Sequence, residues 1–396
     1  MVENNVLIVG AGIAGPTLAY WLLRAGYRPT LLERAPALRR GGYIVDFWGA
    51  GVDVAERMGI VPELTRSGYR LAEVRQVDAH GRRVAAFDPE VFIRGTGGRY
   101  VSIARGELAS ILYAALEDRV ETIFDDTVRA LDDDGARVRV TFASGITRDF
   151  GLVVGADGLH SRVRQLVLGP DASFEKSMGI HVAAFDVPGY RPRDELAAVM
   201  HTDVGFQIAR LAMHDDVTMF LFTVRDDGTA PGESADEQQA WLRARLAGAG
   251  WETPAILESM AAARTFYFDR VSQIRLPAWT QGRVALVGDA AACPSLLAGQ
   301  GSALAMVEAY VLAAELGRAH GDHVDAFASY ERQLAPLLRS KQRAAEGLAL
   351  AFAPRSRLQL FMRNSVMKLM GLPFIAELAM GKSLRDPIEL PPLPAA

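Results

Sequence analysis

The run Val6-Leu7-Ile8-Val9 ends abruptly in Gly10-Ala11-Gly12-Ile13-Ala14-Gly15, and few hexapeptides restrict a fold as tightly. Consecutive apolar residues closed by a glycine suit a parallel strand buried on both faces. Gly10 permits a sharp turn out of that strand. Gly12 leaves no side chain where a pyrophosphate must approach the backbone, and Gly15 lets the next helix lie close to the strand. Ile13 and Ala14 lead into that helix, whose first N–H groups lack partners and therefore attract phosphate. Leu18, Trp21, Leu22 and Ala25 share one helical face, Gly26 stops the helix, and 29–32 reads as a second strand. Glu33 and Arg34 end it, about twenty residues past the glycines, where a carboxylate can bind a ribose hydroxyl pair.

The buried-strand pattern returns at 152–155 and 284–287. Between these points the pattern predicts a glycine-rich loop over 41–51, a helix over 52–58, and a strand pair over 71–77 and 83–87 around His80-Gly81. A helix over 106–117 and short strands over 120–124, 128–131, 138–142 and 147–150 follow. From about 177 the texture changes to longer strands, at 180–187, 197–201, 205–212, 217–224 and 262–268, with a helix over 237–247. After Gly301 the chain reads as helical to about 381. The expected fold is α/β: a Rossmann-like dinucleotide-binding domain over 1–176, and an inserted, mostly antiparallel substrate sheet over 177–276. The first domain then resumes over 277–320, and C-terminal helices over 321–396 bridge the two.

Composition narrows the function classes. A net charge of −4 over 396 residues argues against nucleic acid as a partner. A single cysteine, Cys293, leaves no disulfide framework or zinc cluster within one chain, and no metal ligands are assigned. No stretch approaches the ~20 apolar residues of a membrane span. The expectation is a cytoplasmic monomer or homodimer acting on a small molecule, without stable membrane association.

Two further motifs follow the later buried strands: Gly155-Ala156-Asp157-Gly158-Leu159-His160-Ser161-Arg162, and Gly288-Asp289-Ala290-Ala291 leading to Pro294 and Gly299-Gln300-Gly301. With the first motif, in this order and spacing over residues 6 to about 310, they resemble the three fingerprints of the class A FAD-dependent aromatic hydroxylases. Around Gly41-Gly42 and Asp46 the chain is most similar to tetracycline-inactivating monooxygenases and polyketide hydroxylases. The resemblance implies FAD as cofactor, NADPH or NADH as a transient reductant, and O2 as oxidant. It also implies hydroxylation of an aromatic, polyketide or tetracycline-like molecule through a flavin hydroperoxide, with no side chain as nucleophile. It gives Asp289 to the ribityl chain, Arg105 to the FAD ribose and phosphate region, and Asp157 to FAD and NAD(P)H handling. Asp46 falls beside the flavin. Backbone N–H groups of Gly299-Gln300-Gly301 would face the flavin pyrimidine edge. Ordinary loop roles remain open for Asp157 and Asp46. Arg39 and Arg40 are candidates for the reductant's phosphate, or solvated loop charges.

For the substrate pocket, between flavin and sheet, the candidates are His181, Phe185, Phe206, Arg210, Phe220, Phe222, Pro294 and Asn364. Arg210 would bind an acidic group, and Asn364 would reach in from a long bridging helix over 348–380. Packing is the competing reading for each. A related halogenase needs a lysine, and no lysine occurs before Lys176. A FAD-dependent reductase of the same superfamily and a non-catalytic flavin or ligand binder stay open as alternatives.

Overall fold

The structure, a computed structural model, describes residues 4–38, 43–229, 231–370 and 386–393. Six strands form one sheet in the order Thr280–Gln281, Val284–Leu286, Leu152–Gly155, Asn5–Val9, Arg28–Glu33 and Glu121–Phe124. All neighbours are parallel except the first pair. Asn5–Val9 lies at the middle, and the chain runs outward from it in both directions. That reversal opens a crevice at the carboxyl ends of the strands, where such sheets bind ligands. The register brings Val9 opposite both Leu32 and Gly155, so Gly10, Glu33 and Ala156 emerge side by side. The helix Ala14–Arg24 packs on the sheet with Leu18, Trp21 and Leu22 buried, as their shared face requires.

A seven-stranded sheet stands over this crevice, in the order Thr265–Ile274, Glu175–Pro188, Val217–Arg225, Phe206–Ala212, Ala197–Asp203, Glu73–Val77 and Arg83–Phe87. Its last two strands come from well before residue 177, and Glu73–Val77 pairs in parallel with Ala197–Asp203. Because side chains alternate across a strand, this sheet has two unlike faces. The outer face carries Phe185, Ile208, Phe220, Phe222 and Val224, packed against Leu242, Leu246 and Ile256 of the helices Ala235–Leu246 and Thr253–Ser259. The inner face, toward the crevice, carries Val182, Leu221 and Tyr267, continued by Ala198, Met200, Ala209 and Met219.

Two local expectations are corrected. The segment read as a glycine-rich loop contains a strand, Ile44–Trp48, paired antiparallel with Tyr100–Ala104. The tail is not one long helix. His323–Phe352 stops at Ala353, whose φ of −143° and ψ of 82° are not helical, and a second helix occupies Arg357–Met370. Pro354 is the cause, because its ring pushes the preceding residue out of the helical region. The expected continuation over 371–380 lies outside the described residues. No described helix is long and apolar enough to cross a membrane, and no described cluster of His, Cys, Asp and Glu could hold a metal ion.

Candidate functional site

A cavity of about 430 Å³ fills the crevice between the two sheets. Its floor is the first motif. A Cβ on Gly10, whose φ is +109°, would sit 2.5 Å from the Ala156 carbonyl oxygen, and one on Gly15 would sit 1.9 Å from the Gly10 oxygen. Both positions are closed to any side chain. Gly15 accordingly packs the helix onto the turn and does not line the cavity. Gly12 is different: the nearest heavy atom to its missing Cβ is Nη2 of Arg105, 3.8 Å away. That gap lies between bare backbone and a guanidinium, and it suits a pyrophosphate. Ile13, Ala14 and Arg34 complete this end of the wall.

Glu33 lines the same end, and its carboxylate accepts from the backbone N–H groups of Ala11 and Ala35, each at 2.9 Å. It ties the glycine turn to the second strand while remaining on the cavity wall. Asp157 lines the cavity too, but its carboxylate accepts from Ser161 Oγ at 2.6 Å, Arg162 N at 2.7 Å and Val163 N at 3.1 Å. These bonds fix the loop and cap the helix Arg162–Leu168, so the loop-fixing reading accounts for its side chain. Arg164, fully buried, ion-pairs with Asp171 at 2.7 Å and donates to the Ala290 carbonyl at 3.0 Å. It therefore bolts the second motif to the third, a link that sequence spacing alone does not display.

Gly288, Asp289, Cys293, Gly299 and Gly301 bring the third motif to the opposite wall. Asp289 is half-buried on the cavity wall, and desolvation raises its pKa, opposed by the positive charge of Arg105. Gly301 opens an 18-residue helix, Gly301–Arg318, whose first-turn N–H groups border the cavity. Asp46 enters from the unforeseen strand; burial raises its pKa, opposed by a hydrogen bond from Ser102 Oγ at 2.6 Å. The far wall holds residues that sequence reasoning missed: Tyr43, Val182, Leu221 and Tyr267. The two tyrosine rings lie 5.7 Å apart, and burial pushes the Tyr43 phenol up to about 12.

Most of the expected substrate residues are elsewhere. His181, Phe185, Phe206, Phe220 and Phe222 share the outer face of the seven-stranded sheet, turned from the cavity by strand alternation. His181 stacks on Phe268 at 5.5 Å, and burial lowers its pKa. Arg210 is on that face as well. It donates to the Pro192 carbonyl and pairs with Asp194 at 2.5 Å and Glu252 at 3.5 Å, so it has counter-ions of its own. Pro294 does not line the cavity; its carbonyl accepts from Gln273 Nε2 at 3.2 Å. Gln300 is buried against Gly49 and does not line the cavity either. Asn364 sits on the last described helix, accepting from Arg363 at 3.1 Å. Arg39 and Arg40 lie outside the described residues.

A parallel sheet with a glycine turn, a guanidinium and a helix N-terminus around one crevice defines a dinucleotide-binding oxidoreductase, with the residues present fitting FAD. The comparisons with known proteins make this specific. The FAD binding domain family model matches residues 3–338. The chain is 36% identical over 369 residues to a flavin-dependent monooxygenase of an unknown prokaryotic organism, covering 92% of this chain and 94% of the relative. It is 39% identical over 337 residues to an uncharacterized protein of Mycobacterium tuberculosis, covering 83% and 89%. The crystal structure of the tetracycline destructase Tet(51) superposes with a TM-score of 0.83 at 32% identity, covering 98% of this chain and 99% of that one. The chain belongs to the class A FAD-dependent monooxygenase family and is a flavin-dependent monooxygenase.

Proposed function

We propose that the protein uses NADPH or NADH and O2 to hydroxylate an aromatic, polyketide or tetracycline-like small molecule on FAD. The observation that carries this reading is the wall opposite the glycine turn. Val182, Leu221, Tyr43 and Tyr267 bring aliphatic side chains and two aromatic rings to the cavity, suited to an aromatic ring system. The likeness to a tetracycline destructase over 98% of the chain supports it.

Bound FAD would supply the redox chemistry, hydride acceptance from the nicotinamide and activation of oxygen. The chain's own residues do the rest. Gly10 and Gly12 leave room for the pyrophosphate, and Arg105 meets its charge. Asp289, on the cavity wall, would accept from the ribityl hydroxyls. The N–H groups at the start of Gly301–Arg318 would stabilise negative charge on the reduced ring. Tyr43, Tyr267, Val182 and Leu221 keep water from the reacting face.

The test is oxidation of NADPH and NADH by the purified holoprotein across tetracyclines, anthracyclines and simple phenols, with oxygen uptake and mass spectrometry. Stimulated oxidation with one oxygen atom added to the compound is the expected result. Stimulated oxidation without oxygen uptake would overturn the hydroxylase reading in favour of a reductase.

A further inference from the structure

The helix Arg357–Met370 is amphipathic, but its apolar side faces out. A surface helix ordinarily turns its apolar stripe to the core. Here the inward side is held by polar bonds. Arg363 donates from Nε to the Ala351 carbonyl at 2.7 Å, from Nη1 to Gln76 Oε1 at 3.1 Å and from Nη2 to Gln207 Oε1 at 2.7 Å. These bonds tie the helix to two strands of the seven-stranded sheet. The outward side carries Leu358, Phe361, Met362, Val366 and Leu369, a spacing that keeps all five on one face. They are 67%, 69%, 58%, 56% and 48% exposed, and they make up half of the large apolar side chains exposed among the described residues. Single exposed apolar residues need no explanation, whereas a contiguous stripe marks an interaction surface.

The charges around the stripe have one sign. Arg357 and Lys368 border it on one side, and Arg355 stands just before the helix, all three exposed. Residues 347–370 contain no Asp or Glu. Glu346, the last acid before them, is paired with Lys176 at 2.7 Å and with Arg275. Arg225, at the end of the strand Val217–Arg225, donates to the Ala353 carbonyl, and burial together with the positive charge of Arg355 lowers its pKa. Asp203 lies on the hairpin whose Gly205 N–H donates to the Pro354 carbonyl at 2.8 Å, and it accepts from the Val204 N–H at 2.7 Å. No ion pair among the described residues involves Arg225, Arg355, Arg357 or Lys368.

That combination selects the occupant. A second copy of the chain would meet the stripe across a two-fold axis, which sets the same patch against itself and opposes cations with cations. An apolar stripe bordered by unpaired cations instead complements a bilayer with anionic headgroups. We propose that the helix Arg357–Met370 docks on an anionic lipid surface. Leu358, Phe361, Met362, Val366 and Leu369 enter the boundary between headgroups and acyl chains, and Arg355, Arg357 and Lys368 meet the lipid phosphates. The attachment is reversible, because one helix face lies in the surface and spans nothing.

The test is flotation of the FAD holoprotein with vesicles of phosphatidylcholine alone, or of equal parts phosphatidylcholine and phosphatidylglycerol. The mixed vesicles bind at least about tenfold more strongly, as expected for two or more cations near an anionic surface. Arg355→Gln with Arg357→Gln weakens binding to the mixed vesicles by at least about tenfold. Leu358→Ser with Phe361→Ser weakens it by at least about tenfold as well, through lost apolar burial. Both double variants keep the FAD content and melting temperature of the natural protein, because the altered side chains are exposed. No flotation with either vesicle, equal binding to both, or flotation that survives Leu358→Ser with Phe361→Ser would each overturn the proposal. So would a dimer, seen by light scattering without lipid, that the same serine variant dissolves, since the stripe would then belong to a second copy. None of these outcomes depends on which substrate the cavity takes.

Discussion

Arg210 and His160 are both ionic residues between packed elements, yet they answer to different experiments. Arg210 is 4% exposed and holds Asp194 and Glu252 together beneath the outer helices. Arg210→Ala leaves two partly buried carboxylates facing each other, and should cost about 3 kcal/mol in urea unfolding. Substrate saturation should not change, because the side chain points away from the cavity; a raised KM would return Arg210 to the site. His160 lines the cavity and pairs with Asp269 of the opposite sheet at 2.9 Å. The hydrogen bond to Asp269 raises its pKa, and burial opposes the rise. A raised histidine stabilises the folded state fully below its unfolded pKa, and that contribution is lost as pH rises through the higher folded value. The melting temperature should therefore fall across neutral pH, modestly because the imidazole is half exposed. Asp269→Asn should flatten the fall; an unchanged slope would assign it to other groups.

At the scale of elements, the third motif depends on a residue far along the next helix. Glu308, fully buried in Gly301–Arg318, accepts from the Gly288 N–H at 2.8 Å and from the Tyr330 hydroxyl at 3.3 Å. Burial raises its pKa to about 8, so it is mostly protonated at neutral pH. Here an acid is favoured in its uncharged form. Its contribution is complete below the ordinary carboxyl value and is lost as pH rises through about 8. Glu308→Gln keeps an acceptor for Gly288 and should remove that slope from the pH–stability curve. Glu308→Leu strands the Gly288 N–H and should cost about 1–3 kcal/mol, with weaker FAD retention. Full FAD retention in the leucine variant would show that the Gly288 turn holds itself.

Nothing in the spacing of Gly288-Asp289 points to Glu308. The glycine turns themselves were legible because their requirement is local: no Cβ fits at Gly10 or Gly15. The strand Ile44–Trp48 was hidden by the glycines on either side of it. Pro354 did mark the helix break, and its effect on Ala353 was readable in principle.

The whole molecule is two sheets with a cavity between them, and the upper sheet is buried on both faces. This explains why the substrate side was misread. On a strand with one wet face, alternation separates inside from outside, but Met219-Phe220-Leu221-Phe222 is apolar at every position. The larger aromatic side chains drew attention to the face that packs under Leu242, Leu246 and Ile256, whereas the smaller residues form the cavity wall. Adjacent residues on one strand should then give opposite phenotypes. Phe220 is fully buried in the outer cluster, and Phe220→Ala should destabilise by about 3–5 kcal/mol while substrate stimulation of NAD(P)H oxidation keeps its KM. Leu221→Phe places a ring into the cavity space; stability should change by less than about 1.5 kcal/mol. KM should rise because the added ring occupies the wall on which a planar substrate lies. Unfolding curves and saturation kinetics on the two variants decide it. A KM effect at Phe220 with none at Leu221 would reverse the assignment of the two faces.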